Sequence, residues 1–277
     1  MKLGVSLSPA FLCGQAASVH QTRMLSGGVR PFLTRLREAG CTHIELRAVR
    51  SGTAEEEVAG AVRAAKSAGF CLTVHGTLTD EPADIFWGRL EPALSVQNDL
   101  CVTVHSASTR ENTVRLLRRM GDYAAAHHPD ARLALENNRS KKGDNVDLVE
   151  CGGVLATLED LSLPNAGSCW DFGHFYWDRL THPSLVPSDL PPEGFLCRAV
   201  HAHIHSVCEN TTHFPLTMGD MPLKAYLTAL KKVGYRGVYN LEPEPERWND
   251  SIDAAQEIVR SVSLLHDMLK AIEEEFQ

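Results

Sequence analysis

Short apolar runs alternate with longer amphipathic stretches from one end of the chain to the other. The apolar runs are five to eight residues long, which is the length of a buried strand. The stretches between them carry apolar residues three and four positions apart, as in a helix that packs on a sheet. The pattern predicts eight strands, at Leu3–Leu7, Thr42–Ala48, Phe70–His75, Leu100–His105, Arg132–Glu136, Ala166–Asp171, Arg198–His205 and Gly237–Glu242.

The amphipathic stretches predict the helices that connect these strands. Glycines at positions 40, 69 and 234 follow three of them, as is typical of helix C-termini. Thr53 is the predicted N-cap of the second helix, and Gly152-Gly153 is expected to interrupt the fifth. The proline-rich segment 181–194 has no assigned structure. The predicted helices are Val29–Ala39, Thr53–Ala68, Glu81–Gln97, Thr109–His127, Val146–Glu159, Leu223–Val233 and Ser251–Glu274.

Eight strand–helix units in 277 residues predict an α/β fold built on a parallel sheet. No change of composition marks a linker, so residues 1–277 are expected to form one domain. The number of units and the length fit a (β/α)8 TIM barrel. A doubly wound open sheet is the main alternative, but its dinucleotide-binding form would need a Gly-x-Gly-x-x-Gly motif that does not follow the first strand.

Side chains alternate between the two faces of a strand, so one face of each strand can be assigned to the barrel interior. Opposite positions such as Leu72, Val102 and Leu133 are apolar and are expected to pack under the outer helices. The predicted inward residues are Cys71, Thr73, His75, Cys101, Thr103, His105, Arg132, Ala134, Glu136, Gly167, Cys169, Asp171, His201, His203, His205, Val238, Asn240 and Glu242, with Arg47 on the second strand.

Six successive strands therefore end on an imidazole or a carboxylate, at the rim where barrel enzymes build their active sites. Carboxylates buried together are costly unless they are paired or bind a cation, so the pattern predicts a divalent metal site. Mixed nitrogen and oxygen donors suit Zn, Mn, Fe or Co better than Ca. Each residue alone has a structural alternative, such as a hydrogen-bonded His or an N-cap at Asp171. One shared site explains all six: His75, His105, Glu136, Asp171, His205 and Glu242.

Five other histidines are assigned to the surface or to loops. His43, His127, His128 and His182 are predicted in surface or loop positions, and His20 in a mobile loop.

Composition narrows the classes of function. The formal net charge is −8 and no long basic run is present, which argues against a nucleic-acid partner. Eight scattered cysteines, without a Cys-x-x-Cys pair, are expected to be buried thiols in a reducing cytoplasm. No apolar run approaches the ~20 residues needed to cross a bilayer, so no membrane partner is expected.

Several motifs resemble the xylose-isomerase-like TIM barrels, a superfamily of sugar and sugar-phosphate isomerases and epimerases. The superfamily also contains the endonuclease IV type of apurinic endonuclease (AP endonuclease family 2). The resemblance extends over nearly the whole chain. It is carried by Ala134-Leu135-Glu136, Trp170-Asp171-Phe172-Gly173-His174, His203-Ile204-His205-Ser206, His213-Phe214-Pro215-Leu216-Thr217-Met218-Gly219 and Gly234-Tyr235-Arg236-Gly237-Val238-Tyr239-Asn240-Leu241-Glu242.

The resemblance implies a divalent ion (Mn, Zn, Co, Fe or Mg) held by four residues from the fifth to the eighth strand. In the endonuclease-like members, histidines of the third and fourth strands bind a second ion, and those positions are His75 and His105 here. The implied ligands of the first ion are Glu136, Asp171, His203 and Glu242.

A third ion of the endonuclease-like members is matched only in part. His174 and His213 occupy two of its ligand positions, but Thr211 stands where an Asp is expected. Ser206 likewise replaces an Asp three residues after the seventh-strand His. Both departures disfavour a complete three-ion site and, with it, the endonuclease activity.

The resemblance implies isomerisation or epimerisation of a sugar or sugar phosphate through an enediolate. Glu136 and Glu242 would exchange the proton as base and acid, and His174 would orient or protonate a substrate oxygen. Lys141 and Lys142, in the loop after the fifth strand, are expected to be solvated. The substrate-binding candidates are Arg47, Arg139, His205 and His213.

Two other functions remain open from the sequence. One is a metal-dependent phosphodiesterase of the endonuclease IV type that acts on abasic DNA. The other is a non-catalytic barrel that binds a sugar or a metal and regulates a partner. The expected partner is a small-molecule substrate, and a homodimer is left open.

Overall fold

The structure is a computed structural model that describes residues 1–140, 146–184, 186–209 and 211–276, with the backbone alone at 146 and 147. Lys141 and Lys142 lie outside the described residues. The strands of the described chain are β1 (Leu3–Leu7), β2 (His43–Val49), β3 (Cys71–Gly76), β4 (Cys101–His105), β5 (Arg132–Glu136), β6 (Ala166–Asp171), β7 (Ala199–Ile204), β8 (Ser206–Cys208), β9 (Thr211–Phe214) and β10 (Val238–Leu241).

Eight of these strands form a closed parallel barrel in the order β1-β2-β3-β4-β5-β6-β7-β10, which confirms the predicted TIM barrel and excludes the open sheet. The parallel register places strand ends side by side. His105 lies beside Glu136, and His203 lies between Asp171 and Asn240. Side chains from far apart in sequence therefore meet at one rim.

Helices surround the barrel and cover its apolar outer face. Leu72, Val102, Leu133 and Ile204 are fully buried between the strands and the helices, as the alternation predicts. The helices of the described chain are α1 (Pro9–Leu12), α2 (Val19–Met24), α3 (Val29–Glu38), α4 (Glu55–Ser67), α5 (Ala83–Leu94), α6 (Arg110–His127), α7 (Val146–Val149), α8 (Cys151–Leu161), α9 (Phe172–Thr181), α10 (Glu193–Cys197), α11 (Leu223–Lys232) and α12 (Ala254–Glu275).

Two helix predictions need correction. Ala54, not Thr53, is the N-cap of α4, because the Thr53 hydroxyl accepts a hydrogen bond from the Arg50 amide (2.9 Å) instead. The predicted helix 146–159 is two helices, but the break falls at Glu150 rather than at the glycines. The Glu150 carboxylate caps α8 by accepting from the amides of Gly152 and Gly153, which lie in its first turn.

The chain after β7 also differs from the prediction. β7 ends at Ile204, and the antiparallel hairpin of β8 and β9 follows it at the rim. This hairpin returns His213 over the barrel, where its φ of 66° is in the left-handed region. The residues that follow Asp171 form helix α9, which the sequence pattern did not predict.

The predicted exposure of two histidines and the predicted burial of three cysteines were wrong. His43 lies on β2 and is buried, with Nδ1 2.8 Å from the Thr42 hydroxyl. His20 is buried on α2, where its ring packs against Trp248 with 6.4 Å between centroids. All eight cysteines are free thiols, but Cys13, Cys71 and Cys197 are exposed rather than buried.

Among the described residues, no helix combines the length and the apolar character that a bilayer span requires.

Candidate metal and active site

Glu136 ends β5 with its whole side chain buried and surrounded by imidazoles. Its Oε1 lies 3.1 Å from His203 Nδ1, and its Oε2 lies 3.2 Å from His105 Nε2 and 3.4 Å from His75 Nε2. Burial favours the protonated acid, but the neighbouring His203 and His105 lower the pKa of Glu136 well below its usual range. Glu136 is therefore an ionised carboxylate that reaches ligand-capable groups on both sides.

Glu242, just after β10, faces the same centre from the opposite side of the barrel. Its Oε1 is 3.1 Å from His75 Nδ1, and its Oε2 is 3.5 Å from His213 Nδ1 and 3.7 Å from His203 Nδ1. Burial again opposes ionisation, but His203 and His75 lower the pKa of Glu242 well below its ordinary value. Glu136 and Glu242 are thus both ionised, and both lie next to the imidazoles of His75 and His203.

Asp171 is both an N-cap and a member of this cluster. Its Oδ1 accepts a hydrogen bond from the His174 amide at the start of α9 (2.6 Å). The N-cap role that the sequence offered as an alternative for Asp171 is therefore present in the structure. Its other carboxylate edge faces inward, where His205 Nε2 lies 3.1 and 3.2 Å from the two oxygens. The helix start therefore fixes the position of the carboxylate without using up its acceptor capacity.

Glu45, which was not among the predicted site residues, lies in the barrel interior below the cluster and is fully buried. Its Oε1 accepts from Ser6 Oγ (2.6 Å) and Asn240 Nδ2 (3.0 Å). Its Oε2 lies 3.0 Å from His201 Nε2 and 2.9 Å from His203 Nε2. Glu45 lies two residues before Arg47 on the same strand, so its side chain points to the same face of the sheet. The alternation of side chains along the strand therefore predicts that Glu45 faces the barrel interior.

The predicted ligands come together. One ligand atom from each of Glu136, Asp171, His203 and Glu242 lies within 4.8 Å of the others, and the same holds for His75, His105 and Glu136. Several atoms of these groups are buried without a hydrogen-bond partner among the described residues: both Glu136 oxygens, Glu242 Oε2, His203 Nδ1, His105 Nε2 and His174 Nδ1. Buried polar atoms are rarely left unsatisfied, so a donor set of this kind fits divalent cations.

A third group joins His174, His205 and His213, whose ligand atoms also lie within 4.8 Å of one another. Thr211 is absent from it, and His205 contributes the third nitrogen. His205, however, already uses both ring nitrogens: Nδ1 accepts from the His213 amide (2.9 Å) and Nε2 faces Asp171. Since a neutral imidazole has one donor and one acceptor, His205 is better suited to holding Asp171 than to binding an ion.

A cavity of about 250 Å³ opens above the cluster. It is lined by Arg47, Arg139 and His213 from the predicted substrate-binding set, and by His174 and Glu242. His205 does not line it and is 1% exposed, so the predicted contact of His205 with substrate is not supported by its position. Burial lowers the pKa of His174 to about 4, which leaves a neutral ring at the cavity wall.

A larger cavity, of about 1120 Å³, opens at the opposite end of the barrel, where the strands begin. Among the described residues, none of the clusters of ligand-capable side chains lies there. The volume of a cavity therefore does not identify the active site here. The smaller cavity at the C-terminal rim is the candidate active site, because the ligand-capable side chains lie beside it.

The closed barrel with charged side chains collected at its C-terminal rim is the architecture of a (β/α)8-barrel enzyme. Residues 33–262 match the model of the xylose isomerase-like TIM barrel family, and the chain belongs to that family. This confirms the resemblance inferred from the motifs.

Solved structures similar to this chain include several sugar epimerases. An L-ribulose 3-epimerase has a TM-score of 0.65 at 14% identity, covering 99% of this chain and 97% of that one. A 3-keto-D-glucoside 4-epimerase from E. coli has a TM-score of 0.62 at 15% identity, covering 96% and 99%. A D-psicose 3-epimerase from Clostridium cellulolyticum has a TM-score of 0.60 at 14% identity, covering 98% and 99%. At these identities the likeness shows the fold.

One similar curated protein is an uncharacterised protein of Methanocaldococcus jannaschii, 27% identical over 73 residues. The match spans 25% of this chain and 27% of that protein.

Proposed function

We propose that the protein is a metal-dependent sugar isomerase or epimerase. The observation that carries the proposal is the group of Glu136, Asp171, His203 and Glu242, whose ligand atoms lie within 4.8 Å of one another and of which Glu242 lines a small cavity. The similarity to solved sugar epimerases supports the same class of reaction.

These four side chains would hold one divalent ion, and His75 and His105 provide nitrogen donors beside it. When bound, such an ion supplies a positive charge that polarises a carbonyl and stabilises an enediolate. Neighbouring imidazoles hold the pKa of Glu136 and of Glu242 well below the usual range, so both are ionised. His203 offers Nδ1 toward the centre because its Nε2 is held by Glu45. The donor set fits Mn, Zn, Co, Fe or Mg by chemistry.

Proton transfer is assigned to the two glutamates. Glu242 forms part of the cavity wall, and Glu136 lies beneath it on the opposite side of His75. A base on one side of a hydroxycarbonyl carbon and an acid on the other allow a proton to leave one face and return to the other. His174, which is neutral and lines the cavity, is placed to hydrogen-bond a substrate oxygen.

Proton exchange in deuterium oxide tests this function directly. Metal-free protein would be loaded with Mn²⁺, Co²⁺, Zn²⁺ or Mg²⁺ and incubated with a panel of ketoses, aldoses and their phosphates. We expect deuterium at the carbon next to the carbonyl of one sugar, only with metal, and lost in Asp171→Asn but not in the exposed control Asp84→Asn. Metal-loaded protein that exchanges no sugar in the panel would argue against the proposal.

A second function is favoured by one observation: Glu136 belongs to both the four-residue group and the group with His75 and His105. A carboxylate between two donor sets suits a two-ion phosphodiesterase, in which both ions act on one phosphate. Native mass spectrometry would count the ions, and an oligonucleotide with an abasic site would test cleavage. Two ions per chain together with strand cleavage would favour this function, whereas sugar exchange without cleavage would favour the isomerase.

A further inference from the structure

The active-site cavity separates charge between its floor and its mouth. Glu242 lines the cavity at its floor, where it groups with the buried Glu136 and Asp171. The lining also contains Arg47, Arg50, Arg139 and Arg247, which form the mouth, and Glu244 as its second carboxylate among the described residues. In a protein with a net charge of −8, this concentration of guanidinium groups is local and opposite in sign.

Glu244 neutralises only part of this charge. One of its carboxylate oxygens binds Arg47 Nη2 at 2.7 Å, and the other pairs with Arg247 Nε. Arg47 is held further by the Pro243 carbonyl, which accepts from Nη1 at 3.0 Å. Each Glu244 oxygen thus already faces one arginine, and neither lies within ion-pair distance of Arg139.

Arg50 and Arg139 both lack an acidic partner among the described residues, but Arg50 is exposed to solvent whereas Arg139 is half-buried. Its Nη1 donates to the Thr212 hydroxyl at 2.7 Å, and no carboxylate of the described chain lies within ion-pair distance of it. Arg247 Nη1 donates to the same hydroxyl at 3.3 Å, so two guanidinium groups converge on one oxygen. Burial lowers the pKa of Arg139, and the neighbouring charge of Arg247 lowers it further.

Two converging cations, one of them half-buried and unpaired, are unfavourable without an anion to share. The remaining N–H groups of both guanidiniums present the planar fork that binds a carboxylate or a phosphate through paired hydrogen bonds. The cavity volume of about 250 Å³ suits a single small molecule that reaches from this pair to the floor.

We propose that Arg139 and Arg247 form an anion subsite, and that the substrate is a sugar carrying a phosphate or carboxylate group rather than a neutral sugar. This inference rests on the proposed function, because it assigns the floor to the hydroxycarbonyl end of the same molecule. Thr212 is the positioning residue that holds the two arginines together. Phosphate and carboxylate share the chemistry that the fork recognises, and the experiment separates them.

Binding of three matched sugars tests the subsite: D-fructose, D-fructose 6-phosphate and D-fructuronate, which differ at one carbon. Dissociation constants would be measured by calorimetry on the metal-loaded full chain. We expect at least one anionic sugar to bind about tenfold or more tighter than D-fructose. The preference is expected to disappear in Arg139→Gln, to fall in Arg247→Gln, and to persist in Arg30→Gln on the exposed face of α3. Arg139→Lys keeps the positive charge but lacks the planar guanidinium. Its preference for the anionic sugar is expected to lie between those of Arg139→Gln and the parent protein.

The three dissociation constants decide whether the subsite exists and which anion it binds. Tighter binding of D-fructose 6-phosphate would identify a phosphate, and tighter binding of D-fructuronate would identify a carboxylate. Equal affinity for all three sugars, or a preference that survives in both Arg139→Gln and Arg247→Gln, overturns the subsite. Because Arg247 is exposed, its variant keeps the test usable if Arg139→Gln misfolds.

The binding measurement is independent of turnover, so the two proposals fail separately. D-fructose exchange without any preference for an anion would reject the subsite and leave the isomerase proposal intact. A preference that depends on Arg139, in a protein that exchanges no sugar, would reject the isomerase proposal and leave an anion-binding site. Tighter binding of an abasic-DNA oligonucleotide, lost in Arg139→Gln, would overturn a small-molecule substrate.

Discussion

Glu45 and His203 face each other across the barrel interior, with Glu45 Oε2 2.9 Å from His203 Nε2. An ionised carboxylate can only accept hydrogen bonds, so His203 Nε2 donates to Glu45, and Nδ1 is the ring nitrogen that faces the centre. There Nδ1 lies 3.1 Å from Glu136 Oε1. Burial opposes ionisation of Glu45, but His203 and His201 lower its pKa below the usual range. When Nδ1 gives up its proton to bind an ion, Glu45 would keep the other ring proton on Nε2 and so fix the tautomer of this proposed ligand.

Glu45→Gln is expected to weaken metal binding by about 10- to 100-fold without removing a ligand. The amide would replace one of the two oxygens, which now accept from four donors, with an NH2 group. Where the NH2 group faces His203, Nε2 must accept, which moves the ring proton to Nδ1 and blocks the ligand position. Competition with a chromophoric chelator measures the dissociation constant.

The controls for this prediction separate charge from packing. Glu45→Asp keeps an acceptor and is expected to recover part of the affinity, and Glu56→Gln on the exposed face of α4 is expected to change nothing. Glu45→Gln with the affinity of the parent protein would show that His203 does not depend on this carboxylate.

Gly173 is expected to tolerate no side chain. A Cβ there would lie 1.9 Å from Cε1 of His205, the buried ring that faces Asp171. Gly173→Ala must displace that ring or the start of α9, and we expect a loss of about 2–3 kcal/mol in the free energy of unfolding. Gly88→Ala is the matched control, because nothing lies within 4 Å of its Cβ in helix α5. It should be neutral or stabilising by up to about 1 kcal/mol. Thermal and urea unfolding compare the two variants, and parental stability of Gly173→Ala would contradict the close approach of the His205 ring to Gly173.

Strand alternation made much of the fold and the cluster predictable. Because side chains in a strand point to opposite faces, the final residues of β4, β5 and β6 could be assigned to the interior from the sequence alone. Glu45 and His43 were missed for a related reason: the second strand was represented by Arg47 alone, although all three residues have the same parity. The same rule, applied from the start of the strand, places both inside the barrel.

The pairing of charges at the mouth was not predictable from the sequence. Arg139 and Arg247 are more than a hundred residues apart, and their meeting point, Thr212, lies on a hairpin that the sequence analysis did not find. β8 and β9 are three and four residues long, too short for a periodic signal. Contacts that depend on loop conformation leave no periodic pattern in the sequence. Contacts between side chains on one face of a strand leave a pattern with a period of two residues.

Glu136→Gln is expected to leave the barrel folded and to abolish turnover, by about 10³-fold or more when a general base and a ligand are lost together. The amide fills the same volume next to His105 and His203, so the melting temperature of the metal-free protein should stay within about 5 °C. Circular dichroism measures the fold, and deuterium incorporation into the sugar that the parent protein turns over measures the chemistry. Unchanged turnover would reject the assigned role of Glu136, and Glu91→Gln on α5 is the exposed control.

His43 is expected to contribute to acid sensitivity. Burial, with help from Lys2 and His201, lowers the pKa of His43 to about 4, below the usual value of about 6.5 for an unfolded chain. Between these two values the unfolded chain binds a proton that the folded protein does not, so stability falls as the pH falls from about 6.5 to about 4.

Replacing the His43 imidazole should remove its contribution to the acid-induced loss of stability. In His43→Gln the loss of unfolding free energy between pH 6.5 and pH 4 should be smaller by roughly 2–3 kcal/mol. Urea unfolding at several pH values measures it, with a chelator present so that release of ions does not contribute. His127→Gln, exposed at the end of α6, should keep the slope of the parent protein. If His43→Gln and the parent protein lose stability in parallel, His43 does not remain neutral in the folded barrel as its burial requires.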